Sequence, residues 1–348
     1  MSTRTRTLVR ASLVTLVVIA ATFGLDPFRN FQLATAAAVF AAVAGLTVLV
    51  GLTGQLSLGH AVLMAAGGYG YAIASSSVVA MTSDDGAAAV TGSGASPGAA
   101  GTLLPFLAGL AGAVVVAGVL GLLLGLAAAR LRGPYLAGLT LALVIALSSA
   151  ASVIGPLGGD QGRAAPFLPV PGALAALIAV EQWHAWIAVT LAACAVTPLL
   201  ILRAGRAGLR MRAVHDDETA ARLAGIDPGR VKAGAFTASA LSAGTGGAAL
   251  AIVTQNVSPG AYGLGFSLLL VVAAVVGGLG SLGGAAIGSV LVVTLPWAAD
   301  QLAGTLPADL TARLDGNLAL LLFGVVVIAV TLAAPGGLAR FLPRSRHA

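Results

Sequence analysis

Charged side chains are scarce in this chain. Asp, Glu, Lys and Arg make up only 9% of its 348 residues, whereas about 25% is usual in soluble domains. Apolar residues reach 58% and the mean hydropathy is +1.00. The composition therefore excludes an ordinary soluble enzyme and places the chain among integral membrane proteins.

Cysteine is almost absent, since Cys194 is the only one. One cysteine permits neither a disulfide within the chain nor a cysteine-based metal site. Because it lies in an apolar run, we expect a small, buried apolar side chain at this position.

Lysine is equally rare, and its single occurrence excludes one activity. A phosphate-binding loop of the form G-x-x-x-x-G-K-[ST] needs Ser or Thr after the lysine, but Ala233 follows Lys232. ATP hydrolysis within this chain is therefore excluded, and ATP acting on it would be bound by another subunit. Acidic and basic residues fall in loops or at helix ends, which argues against a proton-coupled carrier.

What the sequence does contain is apolar runs about 20 residues long, the length that crosses a ~30 Å hydrocarbon layer. They predict an all-α polytopic membrane protein of about ten transmembrane helices, in one domain spanning 1–348. The runs are 8–23, 32–52, 60–80, 103–129, 135–154, 184–202, 231–254, 264–280, 285–298 and 318–332. The glycine-rich stretch 264–298 fits either two short spans or a re-entrant hairpin.

Charge asymmetry predicts the orientation. With the N-terminus in the cytoplasm, fifteen of the 18 basic residues fall on the inner side. That is the bias of the positive-inside rule, so we expect a plasma-membrane protein with both termini cytoplasmic. The basic pI of about 10.4 then reflects topology, and nucleic-acid binding is not expected. Residues 82–102 form the predicted outer loop.

The predicted cytoplasmic loop 203–230 carries a short-helix signature. Asp216 is the expected N-cap, with Asp217 and Glu218 in the first turn, where the helix dipole favours negative charge. Glu218 and Arg222 have i,i+4 spacing. Gly225 is the expected left-handed residue at the end, Ile226 closes the apolar contact, and Asp227-Pro228 starts the next helix. The loop is either a docking helix for a cytoplasmic partner or a solvated connector.

A second pattern is G-L-T-G-Q-L-S-L-G-H at 51–60, where glycines and polar residues interrupt two apolar helices. Interrupted helices in a bilayer point to a substrate site. The candidates for residues that line a substrate path are Gln55, Ser57, Gly59 and His60. The alternative is a tight helix–helix turn with polar groups at its interface.

The loop 203–230 resembles the coupling loop of ABC importer permeases, whose pattern is E-A-A-x-x-x-G. Ala220, Ala221 and Gly225 match it, and Glu218 stands one place early, as in the LivM-like branched-chain amino acid permease family. The string at 51–60 resembles that family's G-x-x-G-Q-x-S-x-G-H/N. So do R-L-R-G-P-Y-L-A-G-L-T-L at 130–141 and V-V-G-G-L-G-S-L-G-G-A-A-I-G at 275–288, where Ala285 replaces the usual proline.

The resemblance implies a transport subunit and not an enzyme, with a fold like that of the vitamin B12 permease. It implies four partners: a second, LivH-like permease, two cytoplasmic ABC ATPases and an extracytoplasmic solute-binding protein. No cofactor is implied in this chain, because ATP would bind the partner subunits. The ATPase-coupling residues that it implies are Asp216, Asp217, Glu218, Ala220, Ala221 and Gly225. The solute would be a branched-chain amino acid or a related small polar molecule such as urea or an amide.

Two other classes of function are open. A stand-alone channel or facilitator would need no partner, and its inner loop would tolerate Gly225→Leu. An intramembrane hydrolase would use Ser57 or Ser281, with His60 as a base for Ser57. However, the G-x-S-x-G pattern lacks its first glycine at both serines, where Gln55 and Leu279 stand instead.

Overall fold

The computed structural model describes residues 3–82, 99–131, 133–303, 318–334 and 336–341. Most of the predicted outer loop 82–102 lies outside these residues, as does Arg132.

The described chain is a bundle of α-helices with one very short sheet. The helices are α1 Thr3–Ala21, α2 Pro27–Thr53, α3 His60–Thr82, α4 Ala99–Arg130, α5 Pro134–Val153, α6 Val180–Ala204, α7 Arg206–Asp216, α8 Glu218–Leu223, α9 Pro228–Thr254, α10 Leu264–Gly277, α11 Leu282–Ala303 and α12 Leu318–Ala333. Strands β1 Arg163–Ala164 and β2 Asn256–Val257 pair antiparallel. Three helices begin at a proline, whose fixed φ and missing N–H suit the first helical position.

Nine stretches within the described residues are long and apolar enough to cross a membrane. This confirms the predicted all-α polytopic membrane fold. The tenth predicted span corresponds to α12, of which 16 residues are described. In the region 264–298, whose form was open, α10 and α11 are separate helices, and both belong to stretches that meet the length for a span.

Helices α2, α3 and α9 form the centre of the bundle. In each, 72% of the most apolar window is buried. Small residues allow their backbones to approach: a Cβ on Gly247 would overlap the Met64 carbonyl, and one on Gly67 would overlap Gly244. Close backbone contact of this kind substitutes for the hydrophobic driving force that lipid cannot supply.

Helix α1 lies at the periphery, where 6% of its window is buried. Between α1 and α6 runs a groove of about 1450 Å³, and Cys194 lines it. Cys194 is exposed, so the prediction of a buried cysteine is wrong. An apolar run indicates an apolar environment. In a membrane protein, the lipid at the outer surface provides that environment as well as the core does.

The described ends of the chain lie at one end of the bundle. Leu8 of α1 and Arg206 of α7 line the same groove, and a Cβ on Gly278 would lie 3.0 Å from Ala339 Cβ. Gly280 in turn donates its N–H to the Thr47 carbonyl near the end of α2 (3.2 Å). The start of α1 and the C-terminal turn therefore share the end that carries α7 and α8. That this end faces the cytoplasm stays a prediction.

Candidate functional site at a helix break

Residues 54–59, between α2 and α3, are not helical, and we call them the helix break. Gly54 is the C-cap of α2, with a φ of 66°, and its N–H donates to the Val50 carbonyl (3.0 Å). A side chain at Gly54 would be strained in this left-handed conformation. It would also overlap the imidazole of His215 at the end of α7.

The helix break lies inside the bundle. His60, which starts α3, contacts Ser239, and Ser239 lies about 16 Å along α9 from Pro228 at 1.5 Å per residue. The chain therefore leaves α2 beside α7 and turns back into the bundle before α3 begins. The structure therefore confirms the predicted interruption of the two helices at 51–60.

Polar side chains of neighbouring helices satisfy the backbone of the break. Thr140 Oγ1 of α5 accepts the Leu58 N–H (3.0 Å), and Ser267 of α10 donates its hydroxyl to the Leu58 carbonyl. The Gly59 N–H points at Ser57 Oγ (3.4 Å). Non-helical backbone at membrane depth is tolerated only when protein or a water-filled cavity supplies such partners.

The four predicted path residues lie together, and all four are buried. His60 Nδ1 is 3.0 Å from Ser57 Oγ, and its Nε2 is 2.7 Å from Ser239 Oγ. Gln55 donates Nε2–H to the Lys232 carbonyl (3.5 Å), while no hydrogen bond from the described residues reaches its buried Oε1. A Cβ on Gly59 would lie 2.6 Å from the Thr140 carbonyl oxygen, so a larger residue has no room there. In this structure the four residues face protein and not an open path.

The geometry does not favour the hydrolase alternative. Ser57 and His60 do touch, but both are 0% exposed, so neither water nor a substrate reaches them here. Both ring nitrogens of His60 already contact hydroxyls. Ser281 serves a different purpose, because its Oγ accepts the Gly284 N–H (3.2 Å) at the start of α11.

The loop 203–230 folds into two helices, α7 and α8, and only the second was predicted. Its N-cap is Asp217, because Asp216 continues α7 as its last residue. Asp217 is extended (φ −156°, ψ 112°), and its Oδ1 accepts the N–H groups of Thr219 (2.7 Å) and Ala220 (3.0 Å). The prediction of Asp216 as the cap is therefore wrong by one residue, since capping needs an extended backbone.

The end of α8 matches the sequence prediction. Gly225 has φ 78°, and the Ile226 N–H donates to the Ala221 carbonyl (2.9 Å), which is the closing bond of a Schellman motif. Asp227 Oδ1 accepts the N–H groups of Gly229 (2.9 Å) and Arg230 (3.3 Å), so Asp227 and Pro228 start α9 as predicted. These caps fix the direction of the chain at both ends of α8.

The partner of Glu218 differs from the prediction. Its carboxylate forms an ion pair with Lys232 Nζ of α9 and not with Arg222. The Lys232 side chain is 9% exposed, and a buried ammonium needs a hydrogen-bonded counter-charge. The burial of Lys232 therefore decides which basic residue Glu218 meets.

The remaining predicted coupling residues lie at the surface of the bundle end, apart from one. Asp216, Asp217, Ala220 and Gly225 are exposed, while Ala221 is buried. An exposed, rigidly capped helix such as α8 is available for contact with another protein.

The four strings that carried the resemblance meet around the helix break. String 130–141 supplies Thr140, and string 275–288 supplies Gly280, whose backbone lies against Gly51. The loop 203–230 supplies His215 beside Gly54. Sequence reasoning missed Lys232, His215, Ser239 and Ser267 as members of this site. Only Lys232 gave a signal, as the single lysine of the chain at the start of an apolar run.

The model of the family "Branched-chain amino acid transport system / permease component" matches residues 30–331. The high-affinity branched-chain amino acid transport system permease protein LivM of Salmonella typhimurium is 30% identical over 274 residues, which cover 72% of this chain and 58% of that protein. LivM of Escherichia coli K12 is 31% identical over 268 residues, which cover 68% of this chain and 55% of that protein. The matches thus span little more than half the length of these relatives. No solved structure matches.

Proposed function

Since this chain belongs to the family of branched-chain amino acid transport system permease components, we propose that it is the membrane-spanning half of an ATP-binding-cassette importer. The solute is a branched-chain amino acid or a related small polar molecule such as urea or an amide. The fold that we propose is like that of the vitamin B12 permease, with both termini in the cytoplasm.

The observation that carries this proposal is the connection of an exposed helix to the helix break. Helix α8 is capped at both ends, lies at the surface, and forms an ion pair with α9 through Glu218 and Lys232. Lys232 in turn accepts a hydrogen bond from Gln55 in the break. A stand-alone channel has no use for a surface helix that is joined in this way to its interrupted helices.

The proposed partners are a second, LivH-like permease, two cytoplasmic ABC ATPases and an extracytoplasmic solute-binding protein. ATP binds the ATPases, which close on α8 of this chain and on the equivalent helix of its partner. The solute crosses where the two permeases meet. In this proposal the solute path is lined by four residues that are buried in this structure and become accessible during transport, namely Gln55, Ser57, Gly59 and His60.

Affinity purification from native membranes tests the proposal. The tagged chain is extracted in mild detergent, and the proteins that accompany it are identified and counted by mass spectrometry. We expect two ATPase subunits and one further permease per copy of this chain. Recovery of the chain alone, under conditions that preserve a known ABC complex, would favour the channel.

A further inference from the structure

We propose that Lys232 is a positioning residue that ties α8 to the helix break, so that a displacement of α8 moves residues 54–60. The proposal rests on the importer function above and names the residues through which the chain would receive the motion of its ATPases.

The first part of this link is an ion pair joined to a hydrogen bond at one residue. The Lys232 side chain is almost fully buried and its Nζ pairs with Glu218 of α8. The carbonyl oxygen of the same residue accepts the Gln55 side chain at the start of the break (3.5 Å). Lys232 therefore contacts the surface helix with its side chain and the break with its backbone.

The second part is a direct contact between α7 and the break. Gly54 lies so close to the His215 imidazole that even a Cβ would overlap it. Asp217 is the single residue between α7 and α8, so the two helices cannot move far independently. Contact at Gly54 can transmit movement of α7 towards the bundle, and the ion pair can transmit movement of α8 away from it.

The third part is the far end of the break. His60 Nε2 is 2.7 Å from Ser239 Oγ, and Ser239 lies seven residues after Lys232, or about two turns of helix. Residues i and i+7 share one face of a helix. The break is thus attached to one face of α9 at both of its ends, and the end nearer α8 is the one held through Lys232.

The test uses the complete complex, with the permease partner, the ATPases and the binding protein, in vesicles that contain ATP. Lys232→Met and Glu218→Gln are compared with Arg230→Gln, a control that removes an exposed charge paired with Asp227. The quantities measured are subunit stoichiometry, the rate of ATP hydrolysis and solute taken up per ATP hydrolysed. For both pair variants we expect uptake per ATP lower by about tenfold, within the usual range of coupling between sites. Stoichiometry and hydrolysis should stay close to wild type in Lys232→Met, whose side chain is buried away from the surface of α8. Arg230→Gln should leave all three unchanged.

Charge reversal separates positioning from simple structural support. The double variant Glu218→Lys with Lys232→Glu restores an ion pair of opposite sense, and we expect it to recover part of the uptake per ATP lost in the single variants. Uptake and hydrolysis that fall in parallel, with their ratio unchanged, would overturn the proposal. If the single variants fail to assemble, the reversed pair alone is compared with wild type. A reversed pair that assembles and takes up solute per ATP as wild type does supports the ion pair. A reversed pair that assembles but takes up little solute per ATP overturns it. A wild-type chain that binds no ATPase would instead overturn the importer function.

Discussion

The central helices α2, α3 and α9 differ from the peripheral helices α1 and α5 in what they contact, although all five are apolar. In the central helices 72% of the most apolar window is buried, against 6% in α1 and 24% in α5. Glycine shows the difference directly. A Cβ on Gly247 of α9 would overlap the Met64 carbonyl, whereas one on Gly138 of α5 would meet nothing within 4 Å.

This comparison shows that hydropathy alone does not locate the functional part of a membrane bundle. Small residues in close contact and polar side chains with partners mark the centre, where the helix break lies. Large apolar side chains, such as Leu123 and Ile145, which are 59% and 62% exposed, mark the surface that faces lipid or another subunit. The following substitutions test that division, from the largest expected effect to the smallest.

The largest effect is expected from the same substitution at two glycines. Gly247→Val places three carbon atoms where the Met64 carbonyl and the Gly68 backbone already lie, and we expect a loss of more than about 3 kcal/mol of stability, at the upper end for overpacking. Gly138→Val should be close to neutral. Yield and monodispersity after detergent extraction, and the midpoint of thermal unfolding, distinguish the two. Equal behaviour would contradict the division into centre and periphery.

A smaller effect is expected at His60. In His60→Leu the buried hydroxyls of Ser57 and Ser239 lose the imidazole that both contact. An unsatisfied buried polar group costs about 1–3 kcal/mol, so we expect a clear fall in the unfolding midpoint and loss of uptake.

The matched variant for His60 is Ser57→Ala, which removes one hydroxyl of the set. We expect a loss of about 1 kcal/mol and uptake that remains measurable. Uptake abolished by Ser57→Ala at wild-type stability would revive a chemical role for this serine.

Gly225 tests the end of α8 without steric overlap, since nothing lies within 4 Å of a Cβ there although φ is 78°. In Gly225→Leu a residue with a branched side chain must adopt a left-handed backbone conformation, which costs about 1–2 kcal/mol. We expect ATP-coupled uptake to fall while the protein still inserts. Gly225→Asn should retain most uptake, because Asn tolerates this conformation. Normal uptake by the leucine variant would count against docking through α8.

The smallest effect is expected at the periphery. Leu123→Ala should change the unfolding midpoint little, as is usual for surface positions (about 0.5 kcal/mol or less). The same change at Leu46, which is 1% exposed, should cost about 2–5 kcal/mol. A large effect at Leu123 in the isolated chain would show that α4 packs more tightly than the exposure of Leu123 indicates. An effect seen only in the complex would place a partner there.

The sequence predicted the features that depend on neighbouring residues. The apolar runs predicted nine of the spans, the glycines at 51–60 predicted the helix break, and Gly225 with Asp227 and Pro228 predicted the turn into α9. Each of these follows from local backbone preference or from the length needed to cross a bilayer.

Contacts between distant helices could not be predicted in this way. Glu218 pairs with Lys232 because α9 buries that lysine, not because of i,i+4 spacing to Arg222. Ser239 and Ser267 meet the break from 179 and 209 residues further along the chain, and serines in apolar helices give no sign of such a role. Helix α7 was missed because its arginines resemble a solvated loop.

The most direct test of the importer is uptake by the purified complex in vesicles of known orientation. We expect solute to accumulate against its gradient only when ATP is supplied on the side that carries α7 and α8 and the binding protein is on the other. Equilibration of solute without ATP, at the same rate with and without the ATPases, would contradict the account and identify a channel.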